Sequence, residues 1–161
     1  MSLHHAFAPL CGNNPEILIL GTFPSPLSRE NFEYYGNPRN QFWRLLFGVY
    51  NTPFTQPDYD EKKALIISKN IAVWDVITTC DVVGALDSNI KNPIYNTDLP
   101  EFIAKHGIKN IFFNGNNAYL FYRRGIGSIK RQVLPSSSPA NARMRFEEKL
   151  QIWRERLLHQ E

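Results

Sequence analysis

The sequence predicts an α/β protein in which a small parallel sheet is covered by helices on both faces. Three observations carry this. Short apolar runs rich in strand formers recur along the chain, amphipathic stretches at helical spacing lie between them, and the two kinds alternate. Alternation of this sort places a helical crossover between successive parallel strands and buries both faces of the sheet.

The strands come in order as EILIL (16–20), IAVWDVI (71–77), KNIFF (109–113) and a weaker RQVLP (131–135). Each is short and apolar, and the first is closed by Gly21. From Asn40, NQFWRLLFGVY sets Phe42, Leu45, Leu46 and Val49 on one helical face, with Asn40 as the expected N-cap. YDEKKALIISKN carries acids early and lysine late, with Asn70 as a stop. DLPEFIAKHG places Asp98 three residues before Glu101, a capping-box spacing, and ends at Gly107. NNAYLFYRR is a shorter helix. Residues 142–159 align Phe146, Leu150, Trp153 and Leu157 under a charged outer face.

The 161 residues suit one domain, 1–161, with no internal repeat, and are enough for a sizeable core. No apolar run approaches the roughly 20 residues that span a membrane. The start, MSLHHAFAPL, lacks the regions of a signal peptide, so a cytoplasmic location is expected. Cys11 and Cys80 form no CxxC pair, and the four histidines offer no HExxH, so neither metal nor redox cofactor is expected. A net charge of +3 and a pI near 8.9 lean towards a polyanionic partner without deciding it.

In a parallel sheet the ligand belongs beyond the carboxyl ends of the strands. Those ends lead into GTFPSP, TTCDVVGALDSNIKN, NGNN and PSSSPAN. GTFPSP is neither a P-loop nor a dinucleotide loop, Gly125-Ile126-Gly127 reads as a turn, and no GxSxG elbow appears. Taken singly, the other features have ordinary readings. The serines suit a turn followed by a helix capped by Asn141, and Asn40 suits a cap. Tyr35 suits a partly buried aromatic, and Asp75 suits a residue that caps or orients a loop.

Together they point further. LGTFPSPLSRENFEYYGNPRNQFWRLL, IAVWDVITTCDVVGALDSNIKN, IFFNGNNAYLFYRR and LPSSSPANAR occur in that order from about Pro15 to Trp153. The set resembles the uracil-DNA glycosylase superfamily, and within it the deoxyinosine (hypoxanthine) DNA glycosylases. The resemblance implies a three-layer α/β/α fold and hydrolysis of the N-glycosidic bond of an altered base. It implies Asn40 as the catalytic residue and Tyr35 as the aromatic that stacks on the flipped base. By the same resemblance Gly21, Thr22, Phe23 and Asn114 are expected to complete the base pocket. It likewise implies that Ser25, Ser136, Ser137, Ser138, Pro139, Asn141 and Arg143 meet the DNA. Asn37 stands where family members commonly carry histidine. Thr22 and Phe23 stand where some relatives place an acid or amide, so catalysis is expected to rest on Asn40.

Extruding a base costs a few kcal/mol, least when it is mispaired, and stacking on Tyr35 recovers on the order of 1–3 kcal/mol. Asn40, neutral at every working pH, either positions water or hydrogen-bonds the departing base. No lysine is marked as a Schiff-base nucleophile, so the expected enzyme is a monofunctional, monomeric glycosylase acting on double-stranded DNA. The alternatives are a uracil or mismatch-specific DNA glycosylase, a non-catalytic nucleic-acid-binding relative, and a nucleoside hydrolase or phosphatase-like enzyme.

Overall fold

The structure is a computed structural model that describes residues 3–82, 90–122 and 130–159. Four parallel strands form its centre: β2 (Ile17–Gly21), β3 (Ile71–Asp75), β6 (Asn110–Asn114) and β7 (Lys130–Leu134). Their spatial order is β3-β2-β6-β7. The chain therefore moves outward from β2 to β3, then recrosses to β6 on the other side of β2. Beyond the carboxyl ends of β2 and β6 lies the switch point at which such sheets form a crevice.

Alternate residues of each strand feed two separate cores. Ile17, Ile19, Ile71, Val73, Phe112 and Leu134 pack with α2 (Phe42–Val49), α6 (Phe146–Leu158) and Ile66 of α3 (Tyr59–Ser68). Leu18, Leu20, Ala72, Trp74, Ile111 and Phe113 pack with Leu99 and Ile103 of α4 (Leu99–His106) and Ala118 of α5 (Asn116–Tyr122). A sheet buried on both faces explains why its strands read as continuous apolar runs. The expected three-layer arrangement is the observed one.

A second sheet was not foreseen. Strands β1 (Leu3–His5), β4 (Ile77–Val82) and β5 (Ile90–Tyr95) pair antiparallel in the order β1-β4-β5. Part of TTCDVVGALDSNIKN, read as a loop, is thus strand, and IAVWDVI divides between β3 and β4. Residues 83–89, the expected Gly125–Gly127 turn, Arg123 and Arg124 lie outside the described residues. GTFPSP also enters a short helix that was not foreseen, α1 (Pro26–Asn31), whose first turn Ser25 caps by accepting from the Ser28 amide at 3.3 Å.

Helix ends differ from expectation in three places. Asp58 and Glu61 form the capping box of α3, whereas Asp98 makes no side-chain cap, because its backbone is already helical, φ −83° and ψ −10°, where a capping residue is extended. The last helix starts at Phe146, so Asn141 lies upstream of it and does not cap it. The N-cap of α2 is Gln41, one residue beyond Asn40. Among the described residues no helix is long and apolar enough to cross a membrane, and no group of three or more His, Cys, Asp or Glu could hold a metal.

Candidate active site

A cleft of about 140 Å3 opens at the switch point. It is smaller than the roughly 300–1,000 Å3 of drug-sized sites, so it suits one planar heterocycle reached from the surface. Its floor is the end of β2, Gly21 to Ser25, with Asn114 from the end of β6. One wall is Tyr34, Tyr35, Asn37 and Asn40, and the other is Ser136 to Ala140.

The two glycines at the strand ends permit this closeness. A Cβ on Gly21 would lie 2.6 Å from Tyr35 Oη and 2.7 Å from Asp75 Oδ1, so a side chain there would push the wall outward. Asp75 is itself buried, paired with Gly21 across β2 and β3, and sits behind the cleft, outside its lining. Gly115 has φ +94°, and a Cβ on it would lie 3.1 Å from Ser136 Cβ. Glycine is required at that position both by conformation and by the approach of the serine loop.

Tyr34 and Tyr35 are adjacent and have different fates. Tyr34 is 4% exposed; its hydroxyl donates to the Ala8 carbonyl at 2.8 Å, and its own carbonyl accepts from Trp43 Nε1 at 2.8 Å. Burial, and then the nearby Asp75 carboxylate, push the Tyr34 hydroxyl far above its ordinary pKa and keep it neutral. Tyr35 has φ 52°, a left-handed conformation costing a tyrosine about 1–2 kcal/mol. That turn lays its ring on Phe42, with centroids 3.9 Å apart and planes 11° apart, and presents the residue to the cleft. Strain of this kind persists where the surrounding structure enforces it, often at ligand sites.

Asn40 is half-buried at the start of α2, and its Oδ1 accepts from the Phe42 amide at 2.9 Å. Asn40 therefore bonds the first turn of α2 from one residue ahead of the N-cap and lines the cleft as well. Because a backbone N–H can only donate, the oxygen of the carboxamide is identified, and Nδ2 is the donor that remains for a ligand. Asn37 lines the same wall while its Oδ1 accepts from the Arg39 amide at 2.9 Å.

The serine loop is held from within. Asn114 Nδ2 donates to Ser137 Oγ at 2.8 Å, and Asn114 Oδ1 accepts from the Ser137 amide at 3.0 Å. Ser136 Oγ accepts from the Ser138 amide, and Ser138 Oγ from the Ala140 amide, each at 3.1 Å. Asn141 Nδ2 donates to the Ser136 carbonyl at 3.2 Å. Ser137 is fully buried, so its polar groups fasten the loop to β6. Pro139 and Ala140 form its exposed tip, and Arg143 is exposed just beyond, outside the cleft lining. Of the expected pocket residues, Gly21, Thr22, Phe23, Tyr35, Asn40 and Asn114 come together. Of the expected DNA contacts, Ser25, Ser136, Ser137, Ser138 and Pro139 do, whereas Asn141 and Arg143 are outside the lining. Ser28 was not foreseen: it lines the cleft and accepts from the Gly36 amide at 2.8 Å, tying α1 to the Tyr35 turn.

The chain is similar to known proteins in sequence and in fold. The chain is 37% identical over 145 residues to the hypoxanthine DNA glycosylase of Methanosarcina acetivorans, covering 88% of this chain and 90% of that one. It is 32% identical over 139 residues to the hypoxanthine DNA glycosylase of Methanosarcina barkeri, covering 85% and 87%. A solution NMR structure from M. acetivorans, assigned provisionally as a uracil DNA glycosylase, superposes with a TM-score of 0.78 at 33% identity, covering 96% of this chain and 98% of that one. The family model of the Uracil DNA glycosylase superfamily matches residues 8–157, the span that contains the parallel sheet and every wall of the cleft, and the chain belongs to that superfamily.

Proposed function

We propose that the protein is a monofunctional DNA glycosylase that removes hypoxanthine from deoxyinosine in double-stranded DNA. The observation that carries this is the convergence of Asn40, Tyr35 and the Gly21–Ser25 turn on one cleft sized for a single base. The kinship with two hypoxanthine DNA glycosylases supports the choice of base.

Extrusion brings the base against Tyr35, whose position on Phe42 backs it with an aromatic layer. Water then attacks C1′ of the sugar as the glycosidic bond breaks. The base leaves with the bonding electrons and takes up a proton, and the products are an abasic site and free base. Charge builds on the departing base, and Asn40 Nδ2 donates a hydrogen bond to it there. The amino end of α2 adds its positive potential at the same place. Exposed Arg39 and Arg143, which have no carboxylate within 4.0 Å among the described residues, meet the backbone phosphates. The protein acts as a monomer and a single domain, and uses neither metal nor cofactor.

The test is a panel of duplexes carrying hypoxanthine, uracil, xanthine or 3,N4-ethenocytosine, scored for abasic sites in the presence of chelator. Fastest release of hypoxanthine is expected. Fastest release of uracil would transfer the assignment to a uracil glycosylase, and no release from any duplex would leave a nucleic-acid-binding relative.

A further inference from the structure

Lys149 lies on α6 among residues that look solvent-facing, yet it is 1% exposed. Its ammonium donates to Gln41 Oε1 at 2.8 Å and has no carboxylate within 4.0 Å among the described residues. A buried charge facing a neutral amide is costly to the fold, and methionine would fill the same space without the cost. Burial lowers the pKa of the amine, as that cost requires.

The partner of the ammonium sits where the two walls of the cleft meet. The Gln41 amide donates to the Ser137 carbonyl at 2.9 Å, and Gln41 directly follows Asn40. One turn along α6, Trp153 Nε1 donates to the Pro135 carbonyl at 2.8 Å, so the same helix holds the start of the serine loop. We propose that Lys149 is a positioning residue, acting through Gln41 to keep the serine loop and Asn40 in register across the cleft. The inference rests on the assignment of this cleft as the base-excision site.

The variants are Lys149→Met, Gln41→Met and their combination, in the full chain. The first measurement is hydrogen exchange at the backbone amide of position 41. Lys149→Met should speed it at least about tenfold, while the amides of β2 stay protected. The second is single-turnover excision of hypoxanthine at saturating enzyme. Each single variant should lose about tenfold, since small misplacements of reacting groups are costly in rate. The combination should be no worse than the poorer single variant. The melting temperature of Lys149→Met should change little, because removal of the buried charge offsets the donor lost to Gln41 Oε1. An unchanged exchange rate at position 41, or losses that multiply in the combination, would overturn the proposal. So would a lower melting temperature with normal excision, which marks a purely structural lysine. If Lys149→Met does not fold, Gln41→Met alone must show the same exchange and rate effects. If the unsubstituted protein excises no base, the excision assignment fails by itself, and the exchange measurement still decides whether Lys149 acts through Gln41.

Discussion

The two walls of the cleft are both irregular segments rich in polar residues, but they are built on different principles. The serine loop, residues 135–141, is held by hydrogen bonds among its own hydroxyls, amides and Asn114. Its polar groups are largely committed to shape. The opposite wall, residues 31–41, leans on aromatic packing, Tyr34 against Phe7 and Tyr35 on Phe42, and its turns are fixed by hydrogen bonds from the Gly36 amide to Ser28 and from Trp43 to the Tyr34 carbonyl. Asn40, whose Oδ1 bonds the Phe42 amide, lines the cleft from this wall and keeps its Nδ2 as a donor. A hydroxyl-rich loop is therefore a weak sign of ligand contact, and a polar side chain mounted on an apolar support is a stronger one.

The sharpest way to break this contrast is Asn40. Asn40→Ala should lower the single-turnover rate by about 100-fold or more, the usual loss when one donor to developing charge is removed. Its stability should fall by only about 1 kcal/mol, the cost of a cap. Asn40→Asp separates the two roles that the sequence left open. Aspartate still accepts from the Phe42 amide and caps as well as asparagine, but its ionised form has no donor. If Asn40 donates to the base, Asn40→Asp is as slow as Asn40→Ala near neutrality. Its rate then rises about tenfold per unit as pH falls from about 8 towards 5, because the active form is the protonated carboxyl. If Asn40 instead orients water by accepting from it, Asn40→Asp retains activity and slows as pH falls.

Ser137→Ala tests the other wall. It removes a buried hydroxyl and leaves one hydrogen of Asn114 Nδ2 without its acceptor, at a cost of about 1–3 kcal/mol in stability. Folded protein should still release hypoxanthine at a rate within a few-fold of normal. A rate loss as large as that of Asn40→Ala, with unchanged melting, would make Ser137 a ligand-contacting residue and cancel the contrast.

How far these features could be read from sequence follows from the same physics. The four parallel strands were found to within a residue or two, because a sheet buried on both faces leaves continuous apolar runs. The β1-β4-β5 sheet was missed because β5 is half exposed, contains Pro93, and shows no apolar run. The cleft loops were visible through their motifs. Nothing in PSSSPAN, however, distinguishes Ser137, which is sealed, from Ser136 and Ser138, which are half-buried. Lys149 was hidden by its neighbours Glu147 and Glu148, although it lies four residues before Trp153 and so shares the buried stripe of α6. The Asp98 cap failed because the Asp98 backbone is already helical, a local conformation that spacing alone does not reveal.

The smallest effects compare Tyr35, in the cleft lining, with Arg143, outside it. Tyr35→Phe keeps the ring on Phe42 and should keep most activity. Tyr35→Ala should weaken binding to lesion-bearing duplex by about 1–3 kcal/mol, the worth of one stacked base, and spare undamaged DNA. Arg143 is exposed and outside the cleft, so Arg143→Ala should weaken damaged and undamaged duplexes alike. It should flatten the slope of log affinity against log salt by about 0.9, the share of one neutralised phosphate. Titrations of both duplexes at several salt concentrations resolve the two patterns. Equal weakening of both duplexes by Tyr35→Ala would make Tyr35 part of the entrance to α2 alone. Its left-handed turn would then have to be explained by the packing on Phe42 without a base.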